Sequence, residues 1–177
     1  MIVATTVALA TAAQASPVDR LSAELLASPT ATAVLERHCA ALGLGTRVHA
    51  EVQRGRALAS ATPSRTRLKV AKTEMLGYRR VRLMCGDHVL SRAINWYVPA
   101  RLTPEMNAAL ESGDVPFGRV ILPLAPQRRT LSIWKARPGR VPHGGTVLRH
   151  RAIVLDGQGR PLAEVIENYQ RILVAGG

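Results

Sequence analysis

Residues 78–99 read YRRVRLMCGDHVLSRAINWYVP, and this stretch decides the fold. Two runs alternate in character on either side of Gly86-Asp87, a dipeptide suited to a tight turn, and the second run stops at Pro99. Alternation at a period of two, broken by a turn dipeptide, predicts a β-hairpin.

A second hairpin is predicted from residues 146–174, TVLRHRAIVLDGQGRPLAEVIENYQRILV, across Asp156-Gly157. TRVHAEVQRG (46–55) and RRTLSIWKAR (128–137) alternate as further strands, whereas 55–66 and PGRVPHGG (138–145) read as loops. Residues 19–42 carry helical spacing broken at Ser28-Pro29, which gives two short helices with a Ser or Thr cap for the second. Thr103-Pro104-Glu105 supplies an N-cap, an N1 proline and an acidic first turn to a helix that ends near Gly113. Helices, hairpin, helix, strand and hairpin in that order imply an α+β domain, a mainly antiparallel sheet covered by helices. No repeat, low-complexity tract or linker divides the chain.

Length and composition agree. The chain has 177 residues and is 47% hydrophobic, enough for one domain with a core and a pocket. A net charge of +12 points to anionic partners. All basic residues except Lys69, Lys72 and Lys135 are arginine, the side chain suited to bidentate carboxylate or phosphate recognition, although an Arg- and Ala-rich chain also records codon usage. Nucleic acid is not expected as a partner: aromatics are 3% of the chain, the arginines are scattered along it, and no zinc-finger or helix-turn-helix pattern is present.

Residues 1–15, MIVATTVALATAAQA, resemble the apolar part and Ala-x-Ala cleavage site of an export signal without its charged start. The reading is a signal or disordered N-terminus over 1–15 and a single domain over 16–177, with no run long enough for a membrane span after processing. Export would place the chain in an oxidising compartment, where Cys39 and Cys85 could form a disulfide; in the cytosol both would be small buried thiols. Cys85 and His88 have a metal-like spacing, but Gly86-Asp87 between them reads as the hairpin turn, so no metal is expected. The other histidines have no constellation around them, and Trp96 and Trp134 read as core.

The final strand poses the functional question. Ala163, Val165, Glu167 and Tyr169 fall on one face, and Leu162, Glu164, Ile166 and Asn168 on the other, so each face carries a carboxylate. Four ordered blocks, LLASPTATAVLE (25–36), residues 78–99, LTPEMNAALESGDVPFGR (102–119) and RPLAEVIENY (160–169), together resemble the chorismate pyruvate-lyase family, whose fold is shared with the UTRA effector-binding domains of transcription regulators.

The resemblance implies an antiparallel sheet with helices folded over an internal ligand cavity, and conversion of chorismate to 4-hydroxybenzoate and pyruvate without cofactor or metal. It implies Arg80, five residues before Cys85, as the carboxylate anchor, and Glu167 at the far end of the ring as the proton-exchanging group. Phe117 and Gly118 match a Pro-Leu-Gly turn that contacts the ligand, and Tyr169 matches the aromatic two residues beyond the glutamate. Sliding the match by three residues would select Glu164 in place of Glu167, and the spacing from Pro161 favours Glu167. Arg82, on the strand face of Arg80, departs from the pattern as a second cation for another carboxylate.

As a lyase the monomeric enzyme would be cytoplasmic and could feed ubiquinone or other aromatic biosynthesis. The alternative is an exported, non-catalytic member of the fold that binds an aromatic or cyclic carboxylate. A UTRA-type regulator is a weaker third reading.

Overall fold

The computed structural model describes residues 15–55, 62–137 and 145–175. Most of the signal-peptide reading of residues 1–15, half of the loop expected over 55–66 and most of the loop expected over 138–145 lie outside them. Two helices come first, α1 (Pro17–Ala27) and α2 (Ala31–Ala41), each opened by a hydroxyl cap. Ser16 Oγ accepts from Asp19 N–H and Thr30 Oγ1 from Ala33 N–H, which satisfies amides the helices leave free. Then come β1 (His49–Val52), the single turn α3 (Arg65–Leu68), β2 (Gly77–Cys85) and β3 (His88–Tyr97). After them follow α4 (Pro104–Ser112), the short α5 (Phe117–Val120), β4 (Gln127–Lys135), β5 (Thr146–Leu155) and β6 (Pro161–Gln170).

All six strands join one antiparallel sheet in the order β1-β2-β3-β6-β5-β4. The α+β architecture expected from the sequence is therefore the observed one. The first hairpin turns at Gly86, whose φ of 52° suits a residue without Cβ. The second needs a longer turn than Asp156-Gly157 alone: Gly159 takes the left-handed conformation, and Asp156 Oδ1 accepts the N–H groups of Gln158 and Arg160. The two hairpins meet in the middle of the sheet, where β3 pairs with β6.

Register fixes the two faces. Val81 on β2 pairs with Ala93, Ala93 with Glu167, and Glu167 with His150, so these residues share one face. Helices α1, α2 and α5 cover that inner face over two apolar clusters, one including Leu25, Leu35, Val81 and Tyr169, the other Phe117, Ile121, Val154 and Val165. Cys39 on α2 is bonded to Cys85 at the end of β2, with Cα atoms 5.9 Å apart, tying helix layer to sheet. Closing a loop of 46 residues in this way is worth about 4 kcal/mol in the chain-entropy picture.

Candidate functional site

A small cavity lies at the seam between the two apolar clusters. Its floor is the inner sheet face: Val81, Leu83, Ala93, Asn95, Val154 and Val165. Its roof is the first turn of α2, from Pro29 to Thr32, and the start of α5 with Phe117, Gly118 and Ile121. Gly118 permits that roof, because a Cβ there would stand 2.8 Å from Thr32 Oγ1 and 3.0 Å from Thr30 Cβ. An ion pair between Arg119 and Glu36 holds α5 to α2. The cavity volume is about 30 Å³, far less than a ring-sized ligand fills, so binding one requires the roof to shift or the ligand to extend out of the cavity mouth.

The polar end of the cavity is Arg128 from β4 and Glu167 from β6, an ion pair whose side chains are 4% and 9% exposed. Tyr169, fully buried, donates its hydroxyl to Glu167 Oε2 at 2.9 Å, the same oxygen that takes Arg128. Glu167 Oε1 consequently has no hydrogen bond among the described residues, and neither does the buried Arg128 Nε.

Burial opposes the charge on Arg128, but the adjacent Glu167 carboxylate and the Tyr169 oxygen outweigh it, so the guanidinium pKa is raised and the group stays cationic. Burial pushes the Tyr169 hydroxyl well above its usual value, and the Glu167 charge adds to that, so the phenol stays protonated. Behind this pair His150 is fully buried, edge-on to Tyr169, with Nε2 3.2 Å from Ser22 Oγ on α1. Burial lowers its pKa to about 4 and the Arg128 charge works in the same direction, so this imidazole is neutral at ordinary pH.

The arrangement has one cation held rigidly by its own counterion, a second carboxylate oxygen not engaged, and apolar walls beyond. The α2 first turn adds amides with positive partial charge to the same space. Such a site can orient a small anionic group against an apolar body. No cluster of His, Cys, Asp or Glu suited to a metal occurs among the described residues.

Of the residues nominated from sequence, the structure brings together Glu167, Phe117 and Gly118 around the cavity, with Tyr169 behind Glu167. Arg80 and Arg82 require correction as its cations. They pair with Ile94 and Arg92 across the hairpin and so lie on the outer face, opposite Val81 and Glu167. The Arg80 guanidinium donates to the Arg54 carbonyl at 3.4 Å, and Arg82 bonds Glu51 at 2.5 Å. An offset counted from Cys85 selects the wrong parity, because Val81 and Leu83 must face the core and their even-numbered neighbours then cannot. Arg79 does face inward, but burial is the main influence on it, lowering its pKa, its two terminal nitrogens donate to the carbonyls of Val115 and Gly113, and it does not line the cavity.

Arg128, the cation the site uses, escapes a reading of the sequence. It precedes another arginine on a strand at the sheet edge, and only its pairing with Val154 reveals which of the two points inward. Glu164, the alternative to Glu167, lies on the outer face, 2% exposed, bonded to Ser64 N–H, Arg67 and Arg151.

Fold and site define a class: an α+β domain whose helices close a small cavity, charged at one end, on one face of an antiparallel sheet. The chain is 36% identical over 169 residues to the uncharacterized protein y4mC of Sinorhizobium fredii (strain NBRC 101917 / NGR234), covering 84% of this chain and 71% of that protein. It belongs to the family of that protein. No family model matches the sequence.

Among solved structures, the chain is similar to the ligand-binding domain of a putative GntR-family transcriptional regulator from Bordetella bronchiseptica, at 17% identity and a TM-score of 0.45 over 71% of this chain and 83% of that one. It is also similar to YydK, a possible transcriptional regulator from Bacillus subtilis, at 14% identity and a TM-score of 0.45. That match covers 69% of this chain but only 57% of the regulator, so this chain spans little more than half of it.

Proposed function

We propose that this protein is a binding domain for a small carboxylate with an apolar ring or body, the carboxylate seated at Arg128 and the α2 first turn, the body between Phe117 and the sheet. The observation that carries this reading is the buried Arg128, charged, lining an otherwise largely apolar cavity, with its Nε unpartnered among the described residues. A guanidinium in that position recognises a carboxylate through parallel hydrogen bonds, strengthened by exclusion of water.

Calorimetric titration with 4-hydroxybenzoate tests the reading. Saturable binding is expected. The double variant Arg128→Met/Glu167→Met removes both charges together and should fold yet lose binding by tenfold or more, about 1.4 kcal/mol. Arg80→Ala should bind as the parent does. Failure of a panel of benzoates and cyclohexene carboxylates to bind, or binding indifferent to the double variant, would overturn the proposal.

A second reading, chorismate lyase activity, is favoured by the presence of Glu167 on the cavity with one oxygen free of hydrogen bonds among the described residues. Glu167 would take the ring C–H proton as the C–O bond to the enolpyruvyl group breaks, and would return that proton to the departing enolpyruvate, which leaves as pyruvate. Pyruvate release from chorismate, abolished in Glu167→Gln, is its expected signature. Absence of release from folded protein retires it and leaves the binding domain standing.

A further inference from the structure

The outer sheet face gathers what the sequence scatters. Register places Arg82, Arg92, Asn168, Arg149 and Trp134 side by side in one row across β2, β3, β6, β5 and β4. Arg80 and Arg151 stand in the next row, and Arg129 in the one beyond. Against these six arginines the same face offers two acids, Glu51 and Glu164. Glu164 is already shared between Arg67 and Arg151, and Glu51 is bonded to Arg82. Arg92 and Arg129 are exposed and make no ion pair or side-chain hydrogen bond among the described residues.

The row is built, not merely charged. Asn168 donates to the Arg92 carbonyl at 3.2 Å and accepts from Arg149 Nε at 2.6 Å, which fixes the Arg149 guanidinium. That guanidinium lies over the Trp134 ring, 5.7 Å from its centroid, and the indole is 49% exposed at the sheet edge. From Arg82 to Trp134 the row crosses four strand spacings, roughly 19 Å.

We infer that this outer face binds single-stranded nucleic acid, its phosphates tracked by the row Arg82, Arg92 and Arg149 and a base stacked at Trp134. Charge complementarity selects a polyanion. The side chains select among polyanions: the cations of this face are arginines, which pair bidentately with phosphate, and they end on an aromatic already covered on one side by a guanidinium. Arg149 stays on the indole and leaves its terminal nitrogens for a phosphate. No large apolar side chain of the inner core is needed, so this surface works independently of the cavity on the other face.

Fluorescence anisotropy of a labelled oligothymidylate of about 12 nucleotides, followed between about 50 and 200 mM salt, tests the inference on the full chain. Binding is expected to weaken as salt rises. Arg92→Gln/Arg149→Gln should weaken it at least tenfold and flatten the plot of log affinity against log salt by about 1.4, or 0.7 for each phosphate no longer neutralised. Trp134→Ala should weaken binding about tenfold, and Trp134→Phe should keep most of it.

Arg128→Met/Glu167→Met should bind the oligonucleotide as the parent does. Three results would overturn the inference: an unchanged affinity and slope in the arginine double variant, equal competition by polyglutamate of the same length, or co-sedimentation with phosphatidylserine vesicles without oligonucleotide binding. The last two reassign the face to acidic protein or to lipid.

Discussion

Glu164 and Glu167 stand three residues apart on β6 and meet arginines on opposite faces of the same sheet, and the contrast between them separates a clamp from a site. On the outer face Glu164 takes donors on both oxygens, from Ser64 N–H at 2.8 Å, Arg67 at 3.0 Å and Arg151 Nε at 2.6 Å. Burial tends to raise its pKa, yet those donors prevail and hold it below the ordinary carboxylate value. The result pins α3 to the sheet and leaves nothing for a ligand.

On the inner face Glu167 has both of its donors on one oxygen, and its other oxygen meets no donor among the described residues. Folding accounts fully for the first carboxylate and only partly for the second. The surplus polar capacity at Glu167 and Arg128, beside a cavity, is what a binding site requires.

The largest effect that can break this comparison is expected at Arg128. Arg128→Met strands the Glu167 carboxylate in a buried site and should lower stability by roughly 3 to 5 kcal/mol in urea unfolding. Arg128→Met/Glu167→Met should regain most of that loss, because neither charge is then left unpaired. A single variant costing under about 1 kcal/mol would show that Glu167 is solvated after all and that the two glutamates do not differ as argued.

The sequence exposed the fold more fully than the site, for a physical reason visible in individual residues. Gly86, the Thr103 cap and the alternation of β2, β3 and β6 are local signals, and each element formed where those signals lay. Which face a strand residue joins also follows locally, so Glu167 and Tyr169 were separable from Glu164. The partner was not. Arg128 meets Glu167 only because β4 pairs with β5 and β5 with β6, a relation across 39 residues that no local period encodes.

Arg80 failed for the opposite reason: a spacing borrowed from a resemblance overrode the alternation of Val81 and Leu83. The outer arginine row has the same origin as Arg128. Arg82, Arg92 and Arg149 look scattered along the chain and become neighbours through register alone.

Acid sharpens the comparison next, because the inner face carries the group that titrates first. His150 is buried and neutral, its pKa lowered from 6.5 to about 4. Between those values the unfolded chain binds a proton that the folded chain refuses. The stability this neutral histidine contributes is complete above pH 6.5 and is lost as pH falls toward 4, roughly 3 kcal/mol over the window. The Glu164 clamp follows later: its pKa is depressed below 4.5, so its contribution is present above that value and fades only beneath it. Urea midpoints measured from pH 8 to pH 4 should therefore fall through the histidine window, and His150→Gln should flatten that decline. A decline that survives His150→Gln would move the acid sensitivity away from the inner face.

The smallest effect belongs to the clamp itself. Glu164→Gln keeps the shape and an acceptor for Ser64 N–H, while Arg67 and Arg151, whose side chains are 40% and 32% exposed, can turn to water once the charge is gone. The expected cost is roughly 1 to 2 kcal/mol, with ligand titration unchanged. Glu167→Gln, by the same chemistry, deprives an arginine whose side chain is only 4% exposed, so it should cost more and should alter ligand binding. Both substitutions remove one charge from one strand, and the main difference is how far the arginines left behind are exposed, 40% and 32% for Arg67 and Arg151 against 4% for Arg128. Equal losses in the two variants, or a binding defect in Glu164→Gln alone, would mean that solvent access does not distinguish these carboxylates and would return the candidate site to the outer face.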